Sequence, residues 1–181
     1  MVKLDFRSTA SAQFLVTARA DGTVEFSRVT IVRPLGAGKP RASLTSLPVA
    51  FAAPAGKPKT PDYLFALGEG TNILALWRDG TVQRYGLKVS DDGDSFGLAE
   101  TVDIVESGRT VTAARLLLGS KTLVVADDAG GVRAAFPAKT DTMKTFDGWS
   151  MAVAHRFEAA EGGGACGSLG IALRDRTVVM G

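Results

Sequence analysis

Residues 14–26, "FLVTARADGTVEF", and residues 73–85, "ILALWRDGTVQRY", spell one hairpin twice: an apolar strand, an Asp-Gly-Thr-Val turn and a second strand. A chain of 181 residues that repeats an antiparallel unit is confined to a small set of repeated β architectures. Two further rows follow the same grammar, so the repeats lie near 2–29, 63–87, 111–136 and 168–181. Placing Leu15, Leu74, Leu123 and Val178 in one column gives spacings of 59, 49 and 55 residues. Periods of that length, built from short strands, read as propeller blades.

The turns supply the residues singled out from sequence. Asp21-Gly22 and Asp79-Gly80 read as two-residue loops whose central positions both need positive φ. That geometry pairs Trp77 with Val82 and Leu76 with Gln83, and in the first row Arg19 with Val24 and Thr17 with Phe26. In the third row Gly130 and Gly131, after Ala129, predict a looser loop that keeps the glycine requirement.

"FLVTA", "YLFAL", "ILALW", "RLLLG" and "TLVVA" are apolar on successive residues. A sheet with one wet face would alternate apolar with polar residues, so these strands are predicted to be covered on both faces, as stacked blades are. "TVTAARLLLGSKTL" is the best helix window, but it opens on Thr and Val, has Gly119-Ser120 where a helix would continue, and matches the other three rows, so it reads as strand. The fold class predicted is all-β: WD-like repeats in an incomplete β-propeller-like array of about three to four blades. The open count predicts either that residues 1–181 are one domain cut from a longer propeller, or that another copy covers its edges.

Composition excludes several classes. Hydrophobic residues make up 45% and charged residues 22%, which is globular and not disordered. The 21 basic and 19 acidic residues are dispersed, giving a net charge of +2 with no focused basic stripe for nucleic acid. No apolar run approaches the roughly 20 residues of a membrane-spanning helix. Cys166 is the single cysteine, so no internal disulfide forms.

Candidate chemistry is thin. Gly162-Gly163-Gly164-Ala165-Cys166-Gly167 has G-x-G-x-x-G spacing, but "SLGIALRDRTVVM" follows it as strand, turn and strand, where a dinucleotide site needs a helix. Asp91, Asp92 and Asp94 read as a solvated hairpin tip, since the distal carboxylate of a calcium loop is misplaced. His155 has no nucleophile or orienting carboxylate in a recognisable motif beside it. Cys166 has no neighbouring cation to activate its thiol, and Ser168 lacks the first glycine of a nucleophile elbow. Trp77, Tyr85, Phe136 and Trp149 read as packing aromatics. No catalytic, cofactor or metal site is expected, and the turn residues Asp21, Gly22, Asp79, Gly80, Gly130 and Gly131 are expected to act structurally.

The repeat grammar resembles that of WD-type propellers, without the Trp-Asp dipeptide itself. More narrowly, "FPAKTDTMKTFDGWSMAVAHRFE" and "GSLGIALRDRTVVMG", with "VVADDAGGVRAAFPAK" and "LALWRDGTVQRYGL", are similar to a large domain inserted near the N-terminus of permease subunits of bacterial phosphate-type ABC transporters. The resemblance covers most of the chain. It implies a non-catalytic domain at the periplasmic face of the inner membrane, tethered through segments outside this chain. It further implies docking or regulation through other transporter subunits or the substrate-binding protein. No transport residue is carried over, because the family's transport pathway lies in membrane helices. The alternative is a free-standing WD-like scaffold for protein–protein interaction.

Overall fold

The structure, a computed structural model, describes residues 3–8, 13–32, 36, 38–117, 121–139, 145–157, 164–171 and 178–181. Its first antiparallel sheet runs in sequence order through β1 (Lys3–Ser8), β2 (Gln13–Ala18), β3 (Val24–Val32) and β4 (Arg41–Leu47). The second comprises β5 (Tyr63–Leu67), β6 (Asn72–Leu76), β7 (Thr81–Lys88) and β8 (Ser95–Asp103). The third comprises β9 (Val111–Leu116), β10 (Leu123–Asp127), β11 (Val132–Lys139) and β12 (Trp149–Phe157). β13 (Leu169–Ile171) and β14 (Val178–Met180) pair as an antiparallel hairpin, which gives the fourth-row strand at Val178 a partner from its own repeat.

"FLVTA" departs from the expectation: Phe14, Val16 and Ala18 are buried against the second sheet, while Leu15 and Thr17 on the opposite face are only half-buried. The doubly apolar strands of the second and third sheets are explained by what each face meets. Leu64, Ala66, Ile73 and Ala75 pack with Phe14, Val16 and Phe26 of the first sheet. The intervening residues Phe65, Leu67, Leu74 and Leu76 pack with Val111, Leu116, Leu123 and Val125 of the third. The third sheet's other face, with Val124, Ala126 and Val132, meets Leu169 and Cys166. Each apolar residue of β5 and β6 therefore has a neighbouring sheet to enter, and alternation with polar residues would leave polar groups buried without partners.

The sheets fan from an axis. β1 packs on β5 and β9 on β13, and a cavity of about 400 Å³ is shared by Lys3 and Asp5 of β1, Tyr63 and Phe65 of β5, and Arg115 of β9. The fourth strands lie outermost, and β4 is exposed along nearly its whole length. First strands inside, fourth strands outside and face-to-face stacking define an all-β, incomplete β-propeller-like array.

The turn geometry corrects the expected register. Trp77 N donates to Thr81 O (3.0 Å) and Gly80 N to Trp77 O (3.0 Å), so the loop is Arg78-Asp79-Gly80, with three residues instead of two. Leu76 accordingly faces Val82, and Ala75 faces Gln83. The first row is the same: Arg19 N donates to Thr23 O, Ala18 faces Val24 and Val16 faces Phe26. The third row is no looser, since Asp127 N donates to Gly131 O and Gly130 N to Asp127 O around an equivalent loop. Gly22, Gly80 and Gly130 take φ of 93°, 88° and 81°. This is a type I turn closed by a left-handed glycine, the commonest three-residue hairpin connection. Aligning on these glycines puts Leu15, Ile73 and Leu123 in one column, one residue from the column read off the sequence at the second row.

Candidate binding cleft

The Asp-Gly loops occupy one end of the sheets. Asp21 and Asp79 each turn a carboxylate onto the amide two residues ahead, Thr23 N at 2.9 Å and Thr81 N at 3.3 Å. Donation from Thr23 holds the Asp21 carboxyl below its usual range. Asp127 does related work in the third row, accepting from Ala129 N (3.0 Å) and Gly131 N (2.8 Å) and pairing with the buried Arg133 guanidinium. These residues shape turns, and the structure brings none of them to a cavity with chemistry.

The opposite end of the strands holds a concavity of about 720 Å³ between the second and third sheets. It opens because β10 begins at Leu123 while β11 runs on to Lys139, leaving Phe136–Lys139 paired only to β12. Pro137 is tolerated there, beyond the last β10 partner, where its missing N–H interrupts no ladder. The walls include Leu67, Leu87, Phe136, Pro137 and Trp149, with Glu69, Lys121 and Asp147 supplying charge. Trp149 is 42% exposed, whereas Trp77 is 2% exposed and Tyr85 wholly buried in the core between the first and second sheets. The expectation that all four aromatics pack inside therefore fails at Trp149.

Beneath the cleft lies a knot of charge that sequence reading missed. Arg84 on β7 is fully buried, and each of its five N–H donors has an acceptor. Nε donates to Glu100 Oε1 (2.6 Å), and Nη1 donates to Asn72 Oδ1 (2.8 Å) and Asp147 Oδ2 (2.6 Å). Nη2 donates to Asp147 Oδ1 (3.0 Å) and to Trp149 O. Glu100 also accepts from Ser150 Oγ (2.6 Å) and Met151 N (2.8 Å). An arginine and a glutamate of the second sheet thus clasp the start of β12 in the third.

Local chain geometry delivers Asp147. Gly148 N donates to Thr145 O (3.2 Å) and has φ of 71°, closing a turn that points the carboxylate back at β7. Gly86 makes room: a Cβ there would lie 2.6 Å from Asp147 Oδ2. Burial pushes the Asp147 carboxyl up, but the hydrogen bonds and charge of Arg84 outweigh it and hold it below the usual range. Burial likewise works against the Arg84 guanidinium, and its two carboxylate partners more than offset that. The clue in the sequence was an arginine inside the otherwise buried strand "TVQRYGLK", which can be buried only with acceptors brought from elsewhere.

The remaining candidates do not converge. Asp91 and Asp92 are exposed on the β7–β8 hairpin, and His155 is exposed on β12 with its ring 6.1 Å from Phe157. Cys166 is buried with its thiol donating to Ser168 O (3.2 Å). Gly162 and Gly163 fall outside the described residues. Among the described residues no three His, Cys, Asp or Glu side chains gather to hold a metal ion.

No family model and no curated protein matches the sequence. Among solved structures, the chain is similar to the β-propeller domain of Cps50 (Swd1) from Myceliophteria thermophila, with 14% identity and a TM-score of 0.42. The match covers 81% of this chain and 43% of that one, so the chain spans less than half of the structure it matches. The fold assignment stands on the sheets and their stacking.

Proposed function

We propose that this chain is a non-catalytic protein-interaction scaffold whose partner segment enters the cleft between the second and third sheets. The observation that carries the reading is Trp149: a large aromatic left 42% exposed on a rim that the buried Arg84 knot holds by its backbone. A partly exposed tryptophan on a fixed backbone offers contact area at little entropic cost, the usual character of a binding hot spot. Panning a random-peptide phage library on the immobilised chain tests it. Selected peptides should lose binding to Trp149→Ala while its circular dichroism is unchanged; equal binding to that variant would overturn the reading.

A second reading is favoured by the sequence resemblance, whose string "FPAKTDTMKTFDGWSMAVAHRFE" contains both Asp147 and Trp149. In it the scaffold is the extracytoplasmic domain of a phosphate-type ABC permease at the periplasmic face, and the partner is another transporter subunit or the substrate-binding protein. Among the described residues no helix is long and apolar enough to cross a membrane, so the reading requires flanking segments. Sequencing the gene outward should find apolar helices of about 20 residues on both sides. Their absence would end the permease assignment and leave a free-standing scaffold.

A further inference from the structure

The two ends of the array present unlike faces, and both carry exposed apolar side chains. On the first sheet, the face turned away from the second sheet holds Leu4 (62% exposed), Phe6 (52%), Ile31 (45%) and Leu44 (65%). Cross-strand pairing puts them on one side: Phe6 opposite Leu15, Val29 opposite Leu44, Ile31 opposite Ala42. Leu15 shares its column with Ile73 and Leu123, which are fully buried because the preceding sheet covers each of them. The first sheet therefore displays the kind of face that elsewhere in this fold receives a neighbouring sheet.

The other end has the complementary character. Among the described residues, the β13–β14 hairpin covers the inner part of the third sheet's face. Phe157, across from Val132 on that face, remains 55% exposed, and Val179 is 62% exposed on the side of the hairpin turned away from the sheet. At the interfaces inside the chain, the Val16 and Leu74 side of one sheet meets the Ile73 and Leu123 side of the next. The two outermost faces continue that rule.

We propose that these end faces bind each other between two copies of the chain, head to tail, closing a two-chain ring. The described residues of each copy supply three four-stranded sheets and one two-stranded hairpin, so the pair stacks eight such layers, within the range of closed propellers. The fan of the inner strands about one axis supplies the curvature that closure needs, whereas a straight stack with unlike ends would grow into a filament.

Light scattering after size exclusion tests this on the chain and two surface variants, with circular dichroism to confirm folding. The chain should run at twice the mass of one copy. Leu44→Asp on one end and Val179→Asp on the other should each raise the dimer Kd by roughly a hundredfold, since each buries a charge in an apolar contact. Mixing the two variants should restore a two-chain species, because one junction of the mixed pair carries neither substitution. A monomeric chain at high concentration would overturn the proposal and leave further repeats of a longer polypeptide as the cover. A dimer unaffected by Val179→Asp, or an open polymer, would overturn the head-to-tail ring.

Discussion

Asp147 and Arg84 meet across the junction of the second and third sheets in a two-pronged ion pair, with contacts of 2.6 and 3.0 Å. They are 63 residues apart, so the pair exists only when the sheets have stacked. With Glu100 on the third side of the guanidinium, the knot fixes how the start of β12 sits on the second sheet, and with it the rim that carries Trp149.

Removing the cation should cost more than removing an ordinary surface pair. Arg84→Ala leaves Glu100 and Asp147 facing each other around a cavity, and breaking a buried pair from one side costs about 3–5 kcal/mol. For a chain of this length the melting temperature should fall by roughly 6–20 °C. Calorimetry checks it; a fall of under two degrees would show that water already reaches the site.

The same pair sets an acid limit. The Asp147 carboxyl is depressed in the folded chain, so its contribution is fully present above the unfolded carboxylate value of about 3.9 and is lost as pH falls through the lower folded value. Melting temperatures measured from pH 6 to pH 2 should drop steeply below about pH 4. Asp147→Asn should start lower at neutral pH and show a shallower acid slope.

Tyr85 sets an alkaline limit. Burial pushes its phenol up to about 12, only partly offset by its hydrogen bonding to Ala52. An acid whose folded pKa is raised stabilises the fold below its unfolded value of about 10, and that stabilisation is lost as pH rises through the folded value. Phenolate absorbance should therefore show one tyrosine ionising late, together with loss of the near-ultraviolet dichroism of the core.

Glycines separate backbone strain from crowding. A side chain at Gly80 meets a positive φ of 88° and is driven into Val105. Gly80→Ala should cost about 2–5 kcal/mol, the sum of left-handed strain and overpacking. Gly108, at φ of 83° with open space around it, should lose only about 1–2 kcal/mol on the same change. Gly86→Ala, which crowds Asp147, should weaken the acid dependence as well as the melting temperature.

The strands were legible because coverage on both faces leaves a direct trace: "ILAL" and "LVVA" have nowhere to place a polar residue. The hairpin register was not, because Asp-Gly is compatible with both a two-residue and a three-residue loop. The choice is made by the amide of the residue before the loop, Trp77 or Arg19, which pairs with the carbonyl of Thr81 or Thr23. The third row hid the same loop because Ala129 stands at the position of Asp21 and Asp79, and the carboxylate that caps the turn comes from Asp127 just before it. The cleft was illegible for another reason. Trp149 reads as one more packing aromatic until the late start of β10 and the clasp on Arg84 show that nothing in the described chain lies over it.

Face-to-face stacking of the three sheets is the claim on which the cleft, the knot and the two end faces depend. Methyl-resolved nuclear Overhauser spectroscopy on Ile73 and Leu74, neighbours on β6, tests it most directly. Ile73 should show contacts to Phe14 and Phe26 of the first sheet, and Leu74 to Leu123 and Val125 of the third. Contacts from both residues to the same sheet, or from either one to solvent-exposed positions only, would contradict it.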